Sequence, residues 1–84
     1  MEIKLEVPLY TDSELKLNWE NGFKILVKKE EDILIISANK EGLISLANHL
    51  LNVAQEKAPS GTHFHLDEFN SLETGSIELI VEKL

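Results

Sequence analysis

The segment between residues 39 and 58 constrains the fold most, because it is the one stretch with sustained helical periodicity. Its apolar residues recur at helical spacings and gather over roughly half of the helix circumference. Asn39 is suited to cap the first turn, and Pro59 and Gly61 end the pattern. The sequence predicts one long helix, at about residues 40–57, whose apolar half packs on a sheet. The other half of the helix is filled by polar residues, namely Ser45, Asn48, His49, Asn52, Gln55 and Glu56.

Alternation of apolar and polar residues predicts strands on both sides of this helix. Asn21-Gly22 is a strong signal for a β-hairpin, because both residues tolerate the positive φ that its turn needs. A loop is predicted over residues 10–13. The order of elements predicts an α+β fold, with a mostly antiparallel sheet of about five or six strands and the helix on one face. At 84 residues, the chain 1–84 is expected to form a single domain. The predicted strands cover residues 2–7, 15–19, 23–27, 33–38, 62–67 and 76–83.

The second face of the predicted sheet has no obvious cover. Residues 33–38 form a nearly continuous apolar strand, which implies either a central position or a sheet covered on both faces. Leu26, Leu34, Ile36 and Ile80 are expected on the face away from the helix. Either the sheet curls onto itself, or this face meets another molecule, with a homodimer as one such outcome.

Charge and composition narrow the classes of function. The formal net charge is −7, with no arginine in the chain, so binding to phosphate backbones of nucleic acids is disfavoured. No apolar run reaches the roughly 20 residues of a membrane span, and the first residues do not resemble a signal peptide. We therefore expect a cytoplasmic protein. The absence of cysteine excludes disulfides and thiol catalysis.

A cluster of polar residues around residues 62–70 is the densest candidate site. On a strand, His63, His65 and Asp67 share one face, and two imidazoles with a carboxylate could ligate a divalent metal such as zinc. The simpler interpretation is a polar outer face of a strand whose other side enters the core. Serines near these histidines do not form a nucleophile-elbow pattern, so no catalytic residue is predicted. A small metal-binding or hydrolytic domain on this strand face remains the alternative function.

The remaining candidates belong to a protein-binding surface. Trp19, the single tryptophan, is either a core anchor or an aromatic at the rim of an interface. The acidic cluster Glu30, Glu31 and Asp32 could contact a basic partner, although a solvated turn is the simpler interpretation. The predicted partner-binding set is His63, His65, Asp67, Glu68, Trp19, Glu30, Glu31 and Asp32, with no metal and no cofactor.

Several stretches between about Trp19 and Lys83 are distinctive when taken in order. They are Trp19-Glu20-Asn21-Gly22-Phe23-Lys24, Ser37-Ala38-Asn39-Lys40-Glu41-Gly42-Leu43, Leu46-Ala47-Asn48-His49-Leu50, His63-Phe64-His65-Leu66-Asp67-Glu68-Phe69-Asn70, Ser71-Leu72-Glu73 and Gly75-Ser76. Together, from about Trp19 to Lys83, they resemble the immunity protein 32 family of bacterial polymorphic toxin systems.

The resemblance implies an α+β domain that neutralises a cognate secreted toxin inside the cell. It implies no catalytic residues. An inhibitor of this kind needs a pre-organised surface with complementary charge, so an acidic protein suits a basic toxin, for example a nuclease.

Overall fold

The computed structural model describes residues 1–11 and 13–84, so Asp12, within the loop predicted over residues 10–13, lies outside the described residues. The fold is α+β, as the sequence predicts. The prediction of five or six strands is wrong, because the described residues contain four strands and one helix. In chain order these are β1 (Ile25–Glu30), β2 (Ile33–Ala38), α1 (Lys40–Ala54), β3 (His63–Leu66) and β4 (Leu79–Glu82).

The strands form two antiparallel pairs instead of one continuous sheet. β1 pairs with β2 from Ile25↔Ala38 to Glu30↔Ile33, and β3 pairs with β4 from His63↔Glu82 to Leu66↔Leu79. Of the two alternatives predicted for residues 33–38, the central position is wrong, since β2 has β1 as its only strand partner within the described ranges.

The loop between β3 and β4 links the two pairs along the other edge of β1. The amide groups of Glu73 and Ile77 donate to the carbonyls of Ile25 and Val27, both at 2.8 Å. Between these bonds, the amide of Val27 donates to the side-chain oxygen of Ser76 at 3.1 Å. Because a hydroxyl replaces a backbone carbonyl here, the ladder is interrupted and the sheet stays divided.

The strands predicted over residues 2–7 and 15–19 are absent. The Asn21-Gly22 turn is present, with Gly22 at φ +78° and the amide of Phe23 bonded to the carbonyl of Glu20 at 3.2 Å. It does not join two paired strands, because the backbone of residues 15–20 bonds to side chains of α1 instead. The β-hairpin forms instead between β1 and β2, further along the chain than predicted. In its turn, Glu31 has a left-handed φ of +55°.

The helix buries the half that the sequence assigns to solvent. The side chains of Ser45, Asn48, His49 and Asn52 are buried, together with the border residue Val53. Much of the apolar half is exposed instead, with exposed fractions of 54% at Leu43, 51% at Leu50 and 48% at Leu51. The predicted orientation of the helix on the sheet is therefore wrong.

This orientation arises because the polar side chains of α1 satisfy the backbone of the N-terminal segment. A chain without a sheet partner must still pair its buried amide and carbonyl groups. The side chains of Ser45, Asn48, Asn52 and Gln55 supply these partners. These side chains donate to the backbone carbonyls of Glu6 (2.9 Å), Pro8 (2.8 Å) and Lys16 (3.2 Å). They accept from the backbone amides of Tyr10 (3.0 Å) and Glu20 (2.9 Å).

The helix is also shorter than the predicted range of about 40–57. It ends at Ala54, and Gln55 takes an extended ψ of 138°. The side chain of Gln55 bonds to the backbone at Pro8 and Tyr10, which fixes this residue against the N-terminal segment. The amide of Ala58 then donates to the carbonyl of Gln55 at 3.0 Å, so the chain turns before Pro59. None of the helices in the described residues could span a membrane.

The core lies between α1 and the inner faces of the two strand pairs. Leu15, Leu17, Phe23 and Leu46 are among the partly buried residues around it. Its buried apolar residues are Ile25, Val27, Val53, Phe64, Leu66 and Leu72.

Asn39 joins the start of α1 to the turn before β1. Its side-chain oxygen accepts from the amides of Gly42 (2.8 Å) and Lys24 (3.0 Å), and its amide donates to the carbonyl of Gly22 (2.9 Å). Replacing Asn39 by alanine is expected to lower the free energy of unfolding by about 2 kcal/mol, because the cap and two tertiary bonds are lost together. Urea denaturation measures this loss.

The matched variant Asn39→Asp separates the contribution of the helix cap from that of the hydrogen bond to the carbonyl of Gly22. Aspartate keeps the acceptor for Gly42 and Lys24 and loses only the donor to Gly22, so we expect a loss of about 1 kcal/mol. Equal losses for Asn39→Ala and Asn39→Asp would show that the cap does not stabilise this junction.

Candidate partner-binding surface

The outer face of the β3–β4 pair carries most of the residues that the sequence predicts as a site. Phe64 and Leu66 point into the core, so His63 and His65 lie on the outer face, as the alternation predicts. Across the strands, His63 lies opposite Glu82, and His65 lies opposite Ile80, which is 57% exposed. The face is therefore a mixed polar and apolar surface.

His65 meets two carboxylates at one end of this face. Its Nε2 atom lies 2.5 Å from Oε1 of Glu78 and 3.5 Å from Oδ2 of Asp67. The predicted proximity of His65 to Asp67 is present, whereas Glu78 was not among the predicted residues. His63 makes a different contact, since its Nδ1 atom donates to the carbonyl of Gly61 at 3.0 Å.

The turn that follows β3 is held by a dense set of hydrogen bonds. Oδ1 of Asp67 accepts from the amides of Phe69 (2.8 Å) and Asn70 (3.0 Å). The side chain of Asn70 in turn accepts from the amide of Asp67 and donates to the carbonyl of His65, both at 3.0 Å. The carboxylate of Glu68 accepts from the amide of Gly75 at 2.9 Å and ties the turn to the next loop.

This turn presents Phe69 to solvent. The side chain of Phe69 is 91% exposed, while Leu72, three residues later, is 5% exposed and anchors the turn in the core. Aromatic residues are enriched at protein interfaces, where they supply a large contact area. Phe69 lies within the polar cluster at residues 62–70 but is not among the predicted site residues, because strand alternation ends at Leu66 and cannot give the direction of a side chain in a turn.

The charge around Phe69 has one sign. The stretch 58–82 contains no lysine or arginine, and it includes Asp67, Glu68, Glu73, Glu78 and Glu82. The surface of this part of the protein is therefore acidic, with Phe69, Ile77 and Ile80 as its large exposed apolar residues.

The acidic cluster Glu30, Glu31 and Asp32 lies elsewhere, at the tip of the β1–β2 hairpin. All three residues are exposed. Lys28 lies 3.7 Å from Glu30 in a surface ion pair, which contributes little to stability. The hairpin tip is thus an exposed turn between the end of β1 and the start of β2.

Trp19 belongs to an aromatic cluster at the edge of the core. Its ring stacks on Phe23 at a centroid distance of 4.3 Å, and its edge contacts His49, also at 4.3 Å. His49 contacts Phe64 at 5.6 Å on its other side. Because Trp19 is partly buried in this cluster, the structure gives it the position expected of the core anchor.

His49 is the least expected member of the cluster. The side chain is fully buried, and neither ring nitrogen has a hydrogen-bond partner among the described residues. Burial lowers the pKa of His49 from 6.5 to about 4, since the charged ring would lose its hydration.

Among the residues that the structure describes, the three residues of the alternative site are only partly brought together: His65 lies near Asp67, whereas His63 bonds to the carbonyl of Gly61. No group of three or more histidine, aspartate or glutamate side chains among these described residues is arranged to hold a metal ion. His63 lines a shallow depression of about 380 Å³ together with Ser13 and Ser60. Its one hydrogen bond is to the Gly61 carbonyl, and neither of these serine hydroxyls bonds to it.

Comparisons with known proteins agree with the resemblance in the sequence. Neither the curated proteins nor the solved structures include a match to this chain. A family model described as immunity protein 32 matches residues 33–84, which contain β2, α1, β3 and β4. The stretch 19–24, where the resemblance in the sequence begins, lies outside the matched residues. Since the match covers more than half of the sequence, this chain belongs to the immunity protein 32 family.

Proposed function

We propose that the protein is an immunity protein that neutralises a cognate toxin by binding to it, without catalysis and in the cytoplasm. Family membership supports the role of an immunity protein. We further propose that residues 1–84 act as a single domain, and that the toxin is a basic protein of a polymorphic toxin system, such as a nuclease. The net charge of −7 supports a basic partner, because opposite charges speed association.

The binding surface is proposed to centre on Phe69 and the outer face of the β3–β4 pair. The observation that carries this assignment is the 91% exposure of an aromatic side chain on a turn fixed by hydrogen bonds. Such a turn loses little conformational freedom on binding. Little of the free energy gained by burying the aromatic ring is therefore lost in ordering the turn. The turn also lies within the residues that match the family model.

The neighbouring residues have separate roles in this proposal. Phe69 enters an apolar pocket of the toxin, and Ile80 contacts the rim of that pocket. His63, His65, Asp67 and Glu68 surround them as polar contacts, and the acidic residues meet basic side chains of the toxin. Asp67 and Glu68 also hold the turn itself, so their substitution would change both shape and charge. Phe69 is the better residue to test, because its ring is 91% exposed and has no aromatic partner among the residues that the structure describes.

Replacing Phe69 by alanine is expected to weaken binding of the toxin encoded beside this protein by about 30-fold, equivalent to about 2 kcal/mol. The free energy of unfolding should stay within about 0.5 kcal/mol of wild type, because the side chain is exposed. Titration calorimetry measures the affinity, and growth of cells that express both proteins measures protection.

The matched control is Leu9→Ala, which truncates an apolar side chain that is 75% exposed and lies outside the residues matched by the family model. It should bind the toxin as wild type does. Equal affinity of Phe69→Ala and wild type would exclude this surface. A toxin that kills equally with and without the wild-type protein would exclude the proposed function as a whole.

A further inference from the structure

β2 is an edge strand with a row of unpaired backbone groups. In an antiparallel pair, hydrogen-bonded and non-hydrogen-bonded residue pairs alternate. The amide of Asn39 donates to the carbonyl of Lys24, so this pair is hydrogen-bonded and the alternation can be counted from it. The backbone groups of Ile33, Ile35 and Ser37 consequently point towards β1, and those of Leu34 and Ile36 point away from it.

The opposite strand confirms this count. On β1, the same alternation directs the backbone groups of Ile25 and Val27 away from β2. These are the groups that bond to Glu73, Ser76 and Ile77 on the other side of the strand. The outward amide and carbonyl groups of Leu34 and Ile36 have no equivalent partner strand among the residues described.

The side chains of this edge are apolar and exposed. The exposed fractions are 61% at Ile33, 52% at Leu34 and 41% at Ile36. Natural edge strands are commonly protected by lysine, proline or a bulge, and residues 33–38 contain none of these residue types and pair with β1 in unbroken register. An unprotected apolar edge of this kind is suited to pairing with another strand.

We propose that β2 pairs with β2 of a second copy of this chain, antiparallel and about a two-fold axis at Ile35. In this register Leu34 of each copy lies opposite Ile36 of the other, and the two residues exchange backbone hydrogen bonds. Ile35 lies opposite its own copy in a non-hydrogen-bonded pair. The two β1–β2 hairpins become one four-stranded sheet, with the exposed residues Leu34 and Ile36 side by side at its centre.

The distribution of charge favours a second copy at this edge. Two proteins of net charge −7 repel each other, but residues 33–38 carry no charge, so the strands can approach where repulsion is lowest. The antiparallel arrangement also places the acidic tip Glu30, Glu31 and Asp32 of one copy beside the start of α1 in the other. There it meets Lys40 and the positive end of the helix dipole, in a first turn that also contains Glu41. The pairing therefore provides hydrogen-bond partners for the outward backbone groups of β2, buries its apolar side chains and brings opposite charges together.

Replacing Leu34 by lysine tests this proposal in solution. Wild type is expected to have twice the chain mass by sedimentation equilibrium, and Leu34→Lys to dissociate into monomers or weaken the dimer at least about tenfold. The matched control is Leu50→Lys on α1, where leucine has nearly the same exposed fraction of 51%. The control should remain a dimer. A monomeric wild type, or a dimer that Leu50→Lys disrupts and Leu34→Lys does not, would overturn the proposal.

Cross-linking tests the register, because the chain contains no cysteine of its own. In a non-hydrogen-bonded antiparallel pair the Cα atoms lie about 4.5 Å apart, a separation that a disulfide can span. Ile35→Cys is therefore expected to form a disulfide-linked dimer on mild oxidation. Ile33→Cys, two residues away on the same face, should remain uncross-linked, since it lies opposite Ser37. Preferential cross-linking of Ile33→Cys would overturn the register and the two-fold axis at Ile35.

Discussion

Lowering the pH from 7 to 5 is expected to remove about 2 kcal/mol of folding free energy through the ionisation of His49 alone. Burial lowers the pKa of this ring from 6.5 to about 4 in the folded protein. The unfolded chain therefore binds the proton more readily across that interval, and stability falls as the pH falls from about 6.5 towards 4. In the folded protein the ring lies between Trp19 and Phe64, with neither nitrogen bonded among the described residues, so a charge there has no compensating partner.

Urea denaturation of wild type and His49→Phe at pH 7 and pH 5 measures this effect. Phenylalanine keeps the aromatic contacts and removes the titrating group, so the difference in stability between the two proteins should change by about 2 kcal/mol over that interval. Every other ionisable group is present in both proteins, so its contribution cancels in the comparison. His49→Leu provides a second neutral variant if the larger ring strains the core. A parallel pH dependence in wild type and both variants would contradict the burial of His49.

The helix shows how far its sequence predicts the fold. Periodicity located α1 and its cap, Asn39, because these depend on residues that are close in sequence. Periodicity alone could not give the direction that the helix faces. Asn48 and Asn52 would look the same in sequence whether they bonded to water or to the carbonyls of Glu6 and Lys16. The orientation depends on a segment more than thirty residues away, which local patterns do not include.

One feature of the sequence does indicate the buried polar half. No lysine, arginine, aspartate or glutamate occurs between Glu41 and Glu56. A helix face in water normally carries such charges, whereas amides and hydroxyls without charge suit contact with a backbone. Leu43, Leu50 and Leu51 lie at the surface, although helical periodicity alone predicts them in the core.

The candidate surface was predictable to a similar extent. Alternation placed His63 and His65 on one face and brought His65 near Asp67, because a strand fixes the direction of successive side chains. The contact with Glu78 depends on the register between β3 and β4, which the sequence did not specify. The edge position of β2 likewise depends on which strands pair, since a continuous apolar strand is compatible with the centre of a sheet and with an edge that binds a partner.

Gly42 in the first turn of α1 provides the second large expected effect. Gly42→Ala is expected to lower the free energy of unfolding by about 3 kcal/mol, at the upper end of the range for overpacking. A methyl group at this position would lie 2.5 Å from the carbonyl oxygen of Lys24 and 2.9 Å from Cγ1 of Ile25. Both atoms belong to the junction that Asn39 holds, so neither the helix nor the start of β1 can move without breaking that contact.

The sign of the change in stability shows which of two effects dominates at Gly42, the helix propensity of the residue or the close packing around it. Helix propensity alone predicts that alanine would stabilise the helix by about 1 kcal/mol, whereas the close approach of the β1 backbone predicts a large loss. Gly75→Ala is the control, because a Cβ atom there meets nothing within 4 Å and the cost arises only from the left-handed φ of +92°. We expect about 1 kcal/mol for that control. A Gly42→Ala protein as stable as wild type in urea would contradict the close packing of α1 on the start of β1, on which the orientation of the helix depends.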